Sequence, residues 1–164
     1  MIDLQDCILI VDDEFFITEL LSIYVETMGR TVCATAATAD EAVRLAQEHR
    51  PSIVLMDMRL RGVGDGVDAA LTIHQTLGSK VIFITGSSEP STLARIALDR
   101  PFATLFKPVT ERQVRDAIEK AARSLDAERA ARDAGGGGGA GGLGLQGPSP
   151  ASLRRRGGEG SSAA

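Results

Sequence analysis

The chain has 164 residues, 43% of them hydrophobic, which suits one globular domain with a tail. No stretch reaches the roughly 18 unbroken apolar residues that a membrane-spanning helix needs. The formal net charge is −4; five arginines against three acids make the segment from Ala127 onward +2, leaving −6 on residues 1–126, a balance that suits a cation site or a basic partner and argues against direct binding to nucleic acid.

From the start, Met1 to Asp6 carries Asp3 and Asp6 and no basic residue, the wrong charge for a secretion signal, so the protein is expected in the cytoplasm. Residues 7–11 are a short apolar run rich in β-branched side chains and predict a strand. A helix follows over 14–28, with Phe15, Leu20, Ile23, Tyr24 and Met28 broadly on one stripe and Gly29 as its terminating glycine. A second strand is predicted over 31–36. Cys7 and Cys33 each lie in an apolar run and are expected to be buried, reduced thiols, with no metal-binding spacing. The next helix, 39–49, begins at Thr38 or Asp40 and stops before Pro51.

Strand 53–56 is followed by a glycine-bearing loop at Gly62, Gly64 and Gly66 that must turn tightly, with Asp65 and Asp68 read as solvated loop and helix-start acids. Helix 67–77 ends at Gly78. Strand 81–84 leads to a short helix over 91–98, with Pro90 in its first turn. Strand 103–106 precedes a helix over 110–125, where Thr110 and Gln113 have capping-box spacing and Val114, Ile118, Ala121 and Leu125 recur at helical intervals. His49 and His74 stand alone and are read as surface or boundary residues. Beyond residue 126 the composition changes. Residues 135–139 are an unbroken glycine run, and Gly, Pro, Ser and Ala fill most of the remainder. Such a segment cannot bury enough apolar surface to offset its ordering entropy. Residues 1–126 are therefore expected to be the domain and 127–164 a disordered tail, with Arg154–Arg156 a solvated charge cluster.

Strands without polar alternation are covered on both faces, as in a parallel sheet. Strand and helix alternating along the chain give a doubly wound α/β fold, and the flavodoxin-like (βα)5 order 2-1-3-4-5 is the natural arrangement for such units. In open sheets of this kind the active site lies beyond the carboxyl ends of the strands. The residues there are Asp12 and Asp13 after the first strand, Asp57 after the third, Thr85 after the fourth and Lys107 after the fifth. Carboxylates brought together repel unless a cation neutralises them. Hard oxygen donors without thiolate or imidazole point to Mg²⁺ or Mn²⁺. The lysine supplies a compact charge for an anion and the hydroxyl a hydrogen bond to the same anion. One carboxylate can then act as nucleophile toward a phosphoryl group.

Four stretches together resemble the signatures of response-regulator receiver domains. They are Ile8-Leu-Ile-Val-Asp-Asp-Glu14, Val54-Leu-Met-Asp57, Val81-Ile-Phe-Ile-Thr-Gly86 and Phe106-Lys-Pro108. The similarity covers roughly residues 6–124. It implies that Asp57 is the phosphoacceptor, that Asp12 and Asp13 hold Mg²⁺ with Asp57 and the backbone carbonyl of Arg59, and that Thr85 and Lys107 engage phosphoryl oxygens. It also implies a cis Lys107-Pro108 bond, and a switch involving Thr85, Gly86 and the position of Thr104. Most receivers carry Tyr or Phe at that last position, and Phe102 and Phe106 share the strand parity of Thr104. Without an aromatic there, displacement of Thr85 can still move residues 86–90. Asp57-Met-Arg-Leu-Arg-Gly62 and Asp65-Gly-Val-Asp-Ala-Ala70 resemble a receiver subgroup rich in alphaproteobacterial members. Phe102-Ala-Thr104 resembles part of the FATGUY motif of one such subgroup, although Leu105-Phe106 follows in place of its Gly and Tyr.

The implied role is a signalling switch, not an enzyme beyond its own phosphorylation and dephosphorylation. A histidine kinase or histidine phosphotransfer protein would load Asp57. A downstream protein would read the face around the fourth helix, fifth strand and fifth helix, or the chain would shuttle phosphate. No attached output domain and no membrane association are expected, and phosphorylation-dependent pairing of two copies is left open. Two other readings compete with this one. A Mg²⁺-dependent phosphatase needs an acid two residues after the nucleophile, where Arg59 stands. A phosphate-independent interaction module leaves the acid cluster without a purpose.

Overall fold

A computed structural model describes residues 3–137. Its elements alternate as expected: β1 (Gln5–Val11), α1 (Phe15–Thr27), β2 (Val32–Ala36), α2 (Ala39–His49), β3 (Pro51–Met56), α3 (Gly66–Leu77), β4 (Lys80–Thr85), α4 (Pro90–Ala97), β5 (Ala103–Phe106) and α5 (Glu111–Gly137). The strands form one parallel sheet in the order β2-β1-β3-β4-β5. The chain divides into two units, the first of which ends at Asp126. Among the described residues, no helix is long and apolar enough to cross a membrane.

The period of two along each strand divides the core between the faces of the sheet. Leu9, Val11, Val54, Met56, Val81 and Phe83 pack with α2, α3 and Ile96 of α4. Ile8, Ile10, Ile53, Leu55, Ile82 and Ile84 pack with α1 and α5. β1, β3 and β4 are thus covered on both sides, which is why they read as continuous apolar runs rather than as alternation. Local signals hold the helices in register. Thr38 accepts the Glu41 amide at 3.1 Å, and Arg50 takes the left-handed conformation that closes α2. Gly78 does the same for α3 at φ 80°. Thr110 and Gln113 form the reciprocal pair at the start of α5.

Several expectations are corrected. In α1 the buried positions are Thr18, Leu21 and Val25, whereas Phe15, Leu20 and Ile23 are exposed. Leu21 and Val25 join the apolar cluster formed by the sheet and α5, whereas Phe15, Leu20 and Ile23 stay outside it. Cys7 and Cys33 are free thiols but only half-buried, because they lie low on β1 and on the edge strand β2. Burial, then the Cys7 thiol, pushes the Cys33 thiol up to about 12. His74 is exposed, as expected of a surface residue, but it has a partner: its Nδ1 lies 3.5 Å from the buried Asp99 carboxylate at the far end of α4. Finally, α5 does not end at Leu125: residues 127–137 continue it, because Ala127-Glu-Arg-Ala-Ala-Arg-Asp-Ala134 is composed largely of strong helix formers. The remainder of the expected tail, 138–164, lies outside the described residues.

Candidate functional site

The sheet register carries the strand tips to one rim. Val11 pairs with Met56, Met56 with Phe83, and Thr85 with Phe106. The ladder then extends one residue further. The Asp12 amide donates to Ala36 O at 3.0 Å, the Asp57 amide to Val11 O at 2.8 Å, and the Lys107 amide to Thr85 O at 2.8 Å. Backbone hydrogen bonds therefore fix where the polar side chains begin.

Those side chains converge. Asp12, Asp13 and Asp57 each offer a carboxylate oxygen within 4.8 Å of the others. Asp12 and Asp57 are buried and Asp13 is half-buried. One Asp12 oxygen accepts the Glu14 amide at 2.9 Å, which orients the group. The other accepts from Lys107 Nζ at 2.8 Å, and the same ammonium reaches Asp57 Oδ2 at 3.3 Å. The lysine spans the sheet from β5 to β1, and the Lys107-Pro108 bond that follows it is cis.

Charge crowding shows in the protonation of the site. Burial, and next the neighbouring charge of Asp12, push the Asp57 carboxyl up to about 6, against the opposing pull of Lys107 and the Met58 amide. Burial alone would lower Lys107, but Asp12 and Asp57 outweigh it and hold the ammonium above its ordinary value. Three carboxylates against one ammonium leave an excess of negative charge facing an open cleft of about 580 Å³, lined by Asp13, Asp57, Arg59, Thr85, Gly86, Ser87 and Lys107 among others. The all-oxygen donor set and the uncompensated charge fit Mg²⁺ or Mn²⁺.

Thr85 is buried at the cleft wall, where its Oγ1 accepts the Ser87 amide at 3.2 Å. Gly86 is exposed in the same wall. Thr104 sits half-buried on β5 opposite Phe83, so no aromatic ring occupies that position. Asp13, Asp57, Arg59, Thr85, Gly86 and Lys107 thus line the cleft, Asp12 is bonded to Lys107 beside it, and Thr104 lies on β5 paired with Phe83.

Two features of the site go beyond what the sequence signals. A Cβ built on Gly66 overlaps the carbonyl oxygen of Asp57 and lies 2.9 Å from its carbonyl carbon and 3.1 Å from Met56 Cγ. Gly66 also donates its amide to Met58 O at 2.7 Å. Only glycine lets the start of α3 press so closely on the backbone beneath Asp57. The three glycines of this loop signalled a tight turn, but not that the third abuts the site. Second, Asp65 and Asp68 are not merely solvated. They form a capping box at 3.0 and 2.9 Å, and Arg95 of α4 bonds both carboxylates.

Most of the first compact unit is similar to known proteins. The model of the response regulator receiver domain family matches residues 8–119. The chain is 39% identical over 88 residues to the phyllosphere-induced regulator PhyR of Methylorubrum extorquens, a match covering 53% of this chain and 33% of that protein. It is 31% identical over 114 residues to the transcriptional regulatory protein PdtaR of Mycobacterium tuberculosis, covering 70% of this chain and 55% of the relative. The matched region thus spans a third to about half the length of these relatives. Among solved structures, the signal receiver domain of a modulated diguanylate cyclase from Desulfovibrio desulfuricans superposes with a TM-score of 0.71 at 35% identity, covering 77% of this chain and 99% of that one.

Proposed function

The chain belongs to the response regulator receiver domain family of two-component signalling, and from that membership we propose that it accepts a phosphoryl group on the Asp57 carboxylate. The observation that carries the proposal is the Lys107 ammonium bridging Asp12 and Asp57 at 2.8 and 3.3 Å beside a third carboxylate. A bare surface acid cluster would not recruit a lysine from the far strand into a half-buried position.

Asp12, Asp13 and Asp57 would hold Mg²⁺ together with the Arg59 carbonyl. Mg²⁺, when bound, supplies positive charge to the phosphoryl oxygens and offsets the repulsion among the carboxylates. An Asp57 oxygen attacks phosphorus in line. The new O–P bond forms as the bond to the donor breaks, and the departing group leaves with its electron pair. Lys107 moves its ammonium onto a phosphoryl oxygen and spreads the developing charge, while the Thr85 hydroxyl donates to another. A histidine kinase or histidine phosphotransfer protein in the cytoplasm is the donor in this reading. Leu98, Phe102 and Phe106 expose apolar surface around α4 and β5, which supports a downstream protein docking there.

Phosphate-affinity gel electrophoresis after incubation with acetyl phosphate and Mg²⁺ tests the proposal. A slower band should appear for the intact chain and vanish in Asp57→Ala. A band shift that survives Asp57→Ala rejects Asp57 as the acceptor.

A further inference from the structure

Phosphorylation at Asp57 has to reach the surface of the molecule, and position 104 offers no aromatic ring to carry it. Two sets of contacts join the site to α4 instead. The first runs through Ser87. Its amide donates to Thr85 Oγ1 at 3.2 Å, its hydroxyl donates to Thr92 Oγ1 at 3.2 Å, and that hydroxyl also accepts the Glu89 amide at 3.3 Å. Thr92 is buried in the first turn of α4. The wall of the cleft is thereby fastened to the helix.

The second set holds α4 from the side. Arg95 Nε donates to Asp65 Oδ2 at 3.0 Å, and Nη2 donates to Asp65 Oδ1 at 3.3 Å and to Asp68 Oδ1 at 2.7 Å. Bidentate guanidinium–carboxylate geometry is the strong, directional form of this contact. Its partners are the capping box of α3, the helix whose first residue, Gly66, presses on the Asp57 backbone. Arg95 therefore ties α4 to the same loop that shapes the phosphorylation site, across 27 to 30 residues of sequence.

We propose that Arg95 is an interlock that keeps α4 in its resting place, and that Ser87 is a second tether, which is released when the Thr85 hydroxyl turns to a phosphoryl oxygen. The inference rests on the reading of Asp57 as phosphoacceptor. Turning Thr85 takes the acceptor from the Ser87 amide, and Ser87 is the residue that also holds Thr92. With that tether released, the Arg95 clamp is what still resists departure of α4 from its resting place. Two states of α4 linked in this way obey reciprocity. Whatever stabilises the resting position weakens phosphoryl binding, and removing it strengthens that binding by the same factor.

The test uses beryllofluoride, a mimic of the phosphoryl group, with Mg²⁺ and the full chain. Arg95→Gln should bind beryllofluoride about 3- to 10-fold more tightly than the wild type, the range expected for a half-exposed ion pair. Its α4 amides should exchange faster before any ligand is added, with Mg²⁺ affinity alone unchanged. Arg95→Lys, which keeps the charge but not the fork, should fall between. Ser87→Ala should bind beryllofluoride while the α4 amides no longer respond to it. Equal or weaker beryllofluoride binding by Arg95→Gln, with α4 exchange as in the wild type, overturns the interlock. Failure of the wild type itself to bind beryllofluoride overturns the phosphoacceptor reading instead.

Discussion

Replacing Asp57 with asparagine should make the metal-free protein more stable, although it removes the residue around which the site is arranged. Asp57 is buried at 6% exposure beside Asp12, and its carboxyl is raised from the ordinary 3.8 to about 6. The folded state therefore keeps its proton up to about pH 6, while the unfolded chain releases it near 3.8. Between those values the native state holds more protons than the unfolded state, so stability falls as pH rises through the window. Above pH 6 the whole penalty is present. At about 1.4 kcal/mol per unit it amounts to roughly 3 kcal/mol. Asparagine has nearly the same shape and no charge, and Lys107 keeps its 2.8 Å partner Asp12. Urea denaturation in EDTA at pH 7.5 should show Asp57→Asn more stable by about 2 to 3 kcal/mol, a rise in melting temperature of roughly 10 °C for a domain of this size. The advantage should shrink below pH 6 and be nearly gone by pH 4. Adding Mg²⁺ should stabilise the wild type more than the variant. A variant that is less stable than the wild type in EDTA at pH 7.5, or a difference that does not change with pH, refutes the charge crowding inferred at this site.

Three further outcomes follow from the same geometry. Gly66→Ala drives a Cβ into the Asp57 carbonyl, and should cost about 3 kcal/mol in chemical denaturation and weaken Mg²⁺ binding with it. Lys107→Ala frees Asp12 and Asp57 from their competing ammonium. Calorimetric titration should show tighter Mg²⁺ binding, while phosphorylation by acetyl phosphate slows by about 10²-fold for want of the charge on the phosphoryl oxygens. Thr38→Ala removes the side-chain acceptor for the Glu41 amide and should cost about 1 kcal/mol with no change in phosphorylation rate, marking the difference between a cap and a site residue.

The parts of the molecule that were legible in its sequence are those with a local physical cause. β3 and β4 are buried on both faces, so an unbroken apolar run is their necessary signature. Thr38, Gly78 and Thr110 announce helix ends because they satisfy backbone groups within three or four residues of themselves. The strand order then places Asp12, Asp57 and Lys107 together without any knowledge of side-chain contacts, since a parallel sheet aligns all its carboxyl ends on one edge.

What was hidden depends on partners distant in sequence. Arg95 is one charged residue on an amphipathic helix until the fold sets it against Asp65 and Asp68. The need for glycine at position 66 arises from the Asp57 backbone, which approaches only after β3 and α3 have docked. In α1 the exposed Phe15 and Phe16 look like core residues by composition, and only the docking of the helix, which puts Leu21 and Val25 in the cluster with the sheet and α5, decides which side is covered. The glycine run suggests an early end for α5, whereas residues 127–134 carry strong helix formers that continue it.

The account depends on four strand tips bringing a divalent cation and an ammonium group to one reactive carboxylate. Borohydride reduction of the acetyl phosphate-treated chain, followed by peptide sequencing in a mass spectrometer, reads this directly, because an acyl phosphate is reduced to the alcohol and marks the residue that carried it. Homoserine at position 57, formed only when Mg²⁺ is present, is the predicted result. Homoserine at position 12 or 13, or labelling at 57 that is unaffected by chelating the metal, would contradict it.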